Sequence, residues 1–96
     1  MIKHIVMWKL KEENKKENAL IIKQMLESLN DIIKELRSAE VGIDIKTEND
    51  SYDAILVSSF NSVEDLHAYK IHPEHVKISN FVKSVRTDRK VIDFEY

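Results

Sequence analysis

The sequence predicts an α+β domain, a four-stranded antiparallel sheet with its helices on one face and the other face left for a second copy of the chain. Three observations carry that reading. Apolar residues alternate with period two in four segments, Ile2 to Leu10, Val41 to Ile45, Tyr52 to Phe60 and Val85 to Tyr96, as strands require. Between the first and second segments, and between the third and fourth, they recur instead at helical spacing. The resulting order, strand, helix, strand, strand, helix, strand, is the split β-α-β unit repeated twice, the ferredoxin-like arrangement.

Ile2 to Leu10 places His4, Val6 and Trp8 on one side and Ile5 and Met7 on the other, the pattern of a strand covered on both faces. The charged run Lys11 to Glu17 makes a solvated turn and opens the first helix. Its apolar stripe is read as Leu20, Ile21, Gln24, Met25 and Leu29, with Ile22 and Leu26 at the edges. Asn30 and Asp31 are candidates to end it, although Ile32, Ile33 and Leu36 allow another turn or two before Arg37. In the second strand Val41, Ile43 and Ile45 oppose Gly42 and Asp44, and Gly42 permits a close approach or a bulge.

Thr47 to Ser51 is the turn into the third strand, where Ala54, Leu56 and Ser58 oppose Ile55, Val57 and Ser59. Its apolar centre marks a central strand buried on both faces. Either Asn61 with Glu64 or Ser62 with Asp65 starts the next helix, which runs through Tyr69 and is expected to turn Val63, Leu66 and Ala68 inward. Pro73 opens a short further helical piece at its first position, with His72 just outside. In the last strand Ile92, Phe94 and Tyr96 share one face and Val91, Asp93 and Glu95 the other. With the helices on one side of the sheet, Val6, Trp8 and a row from the third strand are expected on the open side, where a second sheet covers them.

A chain of 96 residues forms one domain, spanning 1–96, and a core this small leaves apolar surface over for association. Charged residues make up 33% of it and hydrophobic ones 43%, which marks a folded rather than a disordered chain. The net charge of -2, with the signs interspersed, argues against a nucleic-acid partner. Without cysteine there is no disulfide, thiolate nucleophile or Cys-ligated metal. No apolar run approaches the ~18 residues of a membrane span, and Met1 to Leu10 lacks the features of a signal peptide, so a cytoplasmic location is expected. One glycine in the whole chain leaves no phosphate loop, and Gly-x-Ser-x-Gly is absent.

Several motifs occur in order along the chain: Ile2-Lys3-His4-Ile5-Val6 followed by Lys9, Glu40-Val41-Gly42-Ile43, Tyr52-Asp53 leading into Leu56-Val57, Phe60 with Glu64, Tyr69-Lys70-Ile71-His72-Pro73-Glu74-His75, and Val91-Ile92-Asp93-Phe94. On these the chain resembles the stress-responsive dimeric α/β-barrel (Dabb) family over essentially its full length, with Tyr-x-x-His-Pro-x-His as the most distinctive element. Asn30-Asp31-Ile32 departs from the Pro-Gly turn of many relatives. The resemblance implies a homodimer whose two sheets face each other and close a barrel. It extends to a plant polyketide cyclase of the family, which performs an intramolecular aldol cyclisation without metal or organic cofactor. The matching positions imply catalytic roles for Tyr69 and His75 and a place in the site for His4.

The residue chemistry is compatible with that implication. Proton abstraction beside a carbonyl needs a base and a donor for the enolate; His75 titrates in the right range and Tyr69 can donate. Their six-residue separation misaligns them on an unbroken helix, but a break before Pro73 removes the objection. His4 can approach from the sheet. His4, Tyr69 and His75 are therefore the candidate catalytic residues, with Val6, Trp8 and His72 as candidate pocket residues. A metal held by His72 and His75 with His67 or Asp65 is the weaker alternative, for want of a specific motif, and no cofactor is expected. Lys83, Arg86, Arg89 and Lys90, mixed with Asp88 and Asp93, read as an ordinary solvated face. The expected function is small-molecule binding or a structural role in a stress-responsive protein, with a cofactor-independent cyclase, lyase or isomerase of small carbonyl compounds as the sharper alternative.

Overall fold

The computed structural model describes all 96 residues, Met1–Tyr96. In chain order it comprises β1 (Ile2–Leu10), α1 (Lys15–Ser28), β2 (Leu36–Ile43), β3 (Ala54–Phe60), α2 (Val63–Ile71), α3 (Pro73–Val85) and β4 (Arg86–Glu95), with a 3-10 turn at Leu29–Asp31. The strands form one sheet in the order β2-β3-β1-β4, and every neighbouring pair is antiparallel. No helix is long and apolar enough to cross a membrane.

The layering follows from side-chain alternation. Residues directly opposite on a ladder share a face, so Val6, Leu56 and Val41, mutually paired across β1, β3 and β2, lie together under the helices. All three are at most 2% exposed. Helix α1 closes on them with Ala19, Ile22 and Leu26, continued by Leu29 and Ile33 beyond its end; Leu66 and Tyr69 of α2 and Ile78 and Val82 of α3 complete the core.

The two faces are assigned the other way round from expectation. Val6 and Trp8 are 2% and 5% exposed and belong to the helix-covered side. The uncovered side carries Ile5, Val57 and Ile92, paired in one row, with Met7, Ile55 and Phe94 around them. Period-two alternation groups residues by face but does not say which group the helices cover. The stripe of α1 is likewise rotated. Ala19, Ile22 and Leu26 face inward, whereas Leu20 and Ile21 are 52% and 39% exposed. Centring the stripe on Gln24 had mixed two sides of the helix.

Element ends also shift, for local chemical reasons. α1 stops at Ser28, and β2 begins at Leu36 rather than Val41 and ends at Ile43, so Ile45 lies outside the sheet. β2 is an edge strand, and its outward-facing backbone groups are satisfied by side chains from the first helical segment. The Asn30 amide accepts from Ala39 N at 2.8 Å and donates to Ala39 O at 3.0 Å. Glu27 accepts from Val41 N at 3.0 Å while Lys23 donates to Val41 O at 2.7 Å. This row covers an edge that would otherwise template strand pairing, and gives Asn30-Asp31 a structural task. Gly42 marks a close approach, not a bulge: a Cβ there would lie 3.2 Å from Ile55 Cγ2. β3 starts at Ala54, because Asp53 is spent on closing the strand ends, its N–H donating to Trp8 O and its carboxylate accepting from Leu10 N.

Of the two capping options, Ser62 is used, accepting from Asp65 N at 3.1 Å. Val63, at the first helical position, is 63% exposed and does not pack inward; Leu66 and Tyr69 do. α3 is a full helix of 13 residues with Pro73 in its first turn.

Candidate functional site

The site is made by a break between helices. His72 precedes a proline, which disfavours helical backbone, and it is extended at φ -61°, ψ 133°. Its Nδ1 accepts from Glu74 N at 3.1 Å, capping α3. The reversal brings Tyr69, at the end of α2, against His75, at the start of α3, with ring centroids 4.4 Å apart. His75 Nδ1 donates to Lys70 O at 3.0 Å, satisfying a carbonyl in the C-terminal turn of α2. A carbonyl only accepts, so this bond fixes the neutral ring as the Nδ1–H tautomer and leaves Nε2 as its basic nitrogen.

His4 reaches the same place from β1. It lies directly across the ladder from Asp93 of β4, and its Nδ1 bonds the Asp93 carboxylate, which sets the same tautomer. Phe60 packs behind, 5.0 Å from the Tyr69 ring and 6.5 Å from His4.

Between these elements lies a cavity of about 300 Å³. His4, Val6 and Trp8 of β1 and Leu56 of β3 form its floor. His75, Ile78, Ser79 and Val82 of α3, with Leu26 of α1, form its wall. Lys70, Lys83, Arg86 and Arg89 complete the lining. Of the sequence-designated residues, His4, His75, Val6 and Trp8 therefore meet at one cavity. Tyr69 and His72 do not line it: Tyr69 is fully buried next to His75, and His72 is held at the helix cap.

Burial dominates the electrostatics. It lowers the pKa of His75, against the opposing hydrogen bond to Lys70 O, and the charges of His4, Lys70 and Arg89 lower it further. Burial also lowers the pKa of His4, with Asp93 partly offsetting it. Both rings are thus neutral near pH 7. The unfolded chain takes up these protons below about pH 6.5 while the folded one resists, so both histidines disfavour the folded state as pH falls through that value. Burial raises the Tyr69 pKa and keeps the phenol protonated. Its hydroxyl is the one buried side-chain polar atom without a hydrogen-bond partner.

Two features escaped the sequence reading. Asp93 was placed on the face opposite Ile92, but its pairing with His4 depends on the β1–β4 register. The basic residues near the end of the chain were read as one solvated face. Strand alternation separates them, sending Arg89 to the cavity side with Trp8 and Lys90 to the open side with Met7. His67, His72, His75 and Asp65 do not gather, and no three His, Asp or Glu side chains come together as a metal site.

A four-stranded sheet layered by helices on one face, with a histidine-bearing cavity between the layers and an uncovered apolar face behind, defines the class: a small ferredoxin-like α+β domain. The chain belongs to the stress responsive A/B barrel domain family, which matches residues 2–96. It is 27% identical over 99 residues to the stress-response A/B barrel domain-containing protein DABB1 of Arabidopsis thaliana, covering 98% of this chain but 46% of that protein, so it spans about half the length of this relative. A dimeric protein of unknown function and ferredoxin-like fold from Bacteroides fragilis superposes with a TM-score of 0.91 at 29% identity, covering 99% of this chain and 95% of that one. The hydroxynitrile lyase of Passiflora edulis shares the fold, with a TM-score of 0.84 at 18% identity over 97% of this chain and 90% of its own.

Proposed function

We propose that this chain is a cytoplasmic, homodimeric small-molecule-binding domain whose cavity carries out cofactor-independent proton transfer on a small carbonyl compound. The observation that carries the reading is the meeting of two imidazoles, His75 and His4, each fixed through Nδ1 and each with Nε2 bare, at one largely apolar cavity. In the first step His75 Nε2 removes a proton from the carbon beside the carbonyl, and the C–H electron pair moves onto the carbonyl oxygen as an enolate. Tyr69 does not line the cavity; packed against His75 with ring centroids 4.4 Å apart, it is assigned to position the base. The enolate carbon then attacks a second carbonyl, which is cyclisation, or is reprotonated elsewhere, which is isomerisation. Since burial makes His75 a weaker base than free imidazole, the substrate needs a C–H activated by a second electron-withdrawing group.

The lyase from Passiflora supports the reading only to the extent that the same fold accommodates an enzyme of small molecules. Homodimerisation is proposed because the apolar face bearing Ile5, Val57 and Ile92 has no cover within the chain, and because the protein from Bacteroides fragilis is dimeric.

The test follows deuterium uptake from solvent at the benzylic carbon of phenylacetone, by NMR. Exchange above the buffer rate is expected, falling about 10²- to 10⁴-fold in His75→Gln, the usual contribution of a general base. Tyr69→Phe keeps the ring that packs against His75 and is expected to retain exchange, while stabilising the unliganded fold by about 1 kcal/mol, because it removes an unpaired buried hydroxyl. Exchange at the buffer rate with bound phenylacetone, or unchanged exchange in His75→Gln, removes His75 from the chemistry.

A further inference from the structure

We propose that the natural ligand of this cavity is an organic anion, a carbonyl compound with an apolar body and one carboxylate, whose charged end is taken by Lys70, Lys83, Arg86 and Arg89. This rests on the reading of the cavity as a carbonyl-compound site and specifies the substrate class. Over the whole chain acids outnumber bases and the net charge is -2. Around this one cavity the balance is inverted, with four Lys and Arg residues in the lining and no Asp or Glu.

The four cations are also free to act. None of them forms an ion pair with a carboxylate of the chain. The acids nearest in sequence have partners other than the four cationic heads: Asp93 bonds His4, Glu74 pairs with Lys77, and Asp88 accepts from the Tyr52 hydroxyl and the Arg89 backbone N–H. The cations come from separate parts of the fold. Lys70 lies near the end of α2, Lys83 in the last turn of α3, Arg86 at the start of β4, and Arg89 directly across the ladder from Trp8. Convergence from these places is not a charge run on one helix face.

All four line the same cavity as His4 and His75, and Lys70 and Arg89 help lower the pKa of both imidazoles. One ligand can therefore meet both sets. The other end of such a ligand is specified by the floor, where Val6, Trp8 and Leu56 offer no hydrogen-bonding side chain to a polar group except the Trp8 indole N–H. A free inorganic anion would leave that floor unused, and a neutral apolar molecule would leave the four cations of the lining unused. A carboxylate on an apolar carbonyl body satisfies both, and arginine is well suited to grip a carboxylate through two parallel N–H bonds. At about 300 Å³ the cavity is at the small end of ligand sites.

Phenylpyruvate and phenylacetone differ in one group, a carboxylate in place of a methyl. Titrated into the isotopically labelled full chain and followed by NMR, phenylpyruvate is expected to bind at least about tenfold tighter at about 20 mM salt, with the advantage shrinking at about 300 mM. The Lys70→Gln, Lys83→Gln, Arg86→Gln, Arg89→Gln quadruple variant is expected to bring phenylpyruvate down to the affinity of phenylacetone. Equal affinities in the parent protein, a preference that survives in the quadruple variant, or binding of neither probe overturns the proposal. Its failure is distinct from failure of the proton-transfer reading: phenylacetone that binds and exchanges with no gain from the carboxylate sinks the anion site alone, whereas salt-sensitive phenylpyruvate binding without exchange of either probe sinks the chemistry alone.

Discussion

A glutamate at Ile5 is expected to convert the proposed homodimer into a folded monomer. Ile5 sits at the centre of the uncovered face, between Val57 on one side and Ile92 on the other, and that row is where two sheets would meet. In the monomer the new carboxylate remains hydrated, on a face that also carries Lys3, Lys9 and Lys90, so the fold survives. In the dimer it would be buried without a partner, which costs several kcal/mol. Association is expected to weaken by about a thousandfold or more. Sedimentation velocity should show the parent at twice the 11.3 kDa chain mass and Ile5→Glu at a single chain mass, with unchanged circular dichroism. A variant that remains dimeric would place the interface elsewhere.

The second large effect is on stability. Phe60→Ala is expected to cost about 3–5 kcal/mol, a large share of the roughly 5–15 kcal/mol available to a domain of this size. Phe60 is fully buried at the end of β3, paired with both Ile2 and Leu36, and its ring touches the cluster that holds the site, 5.0 Å from Tyr69 and 6.5 Å from His4. Truncation leaves a cavity at the place where the sheet supports both histidine-bearing elements. Urea unfolding measures the loss, and phenylacetone binding should weaken with it. A cost under about 1 kcal/mol would mean that the core closes over the gap and that Phe60 does not brace the site.

Most of the fold was legible in the sequence because its signals are local. Alternation in Ile2 to Leu10 and Ala54 to Phe60, a capped helix start at Asn61 or Ser62 and the His72-Pro73 break each depend on residues a few positions apart. What failed depends on distant partners. Nothing within β1 says which of its faces the helices will cover, so Val6 and Trp8 were placed on the open face. The early start of β2 rests on Lys23, Glu27 and Asn30 reaching across to a strand edge, contacts that no period expresses. The site divides in the same way. His75, Tyr69 and His4 were designated through the family motif, with the proline break allowing the first two to meet. Asp93 and the cationic lining were not, because each is defined by register between β1 and β4.

The central claim is that two neutral imidazoles present bare Nε2 atoms to one cavity, and side-chain nitrogen NMR of His4 and His75 tests it most directly. The ring nitrogens distinguish the tautomers, and a pH series gives the titration points. At pH 7 both rings are expected to be neutral with the proton on Nδ1, both to titrate below the ordinary value of about 6.5, and phenylacetone to perturb Nε2 of both. Rings that carry the proton on Nε2, or that titrate at or above the ordinary value, would contradict it.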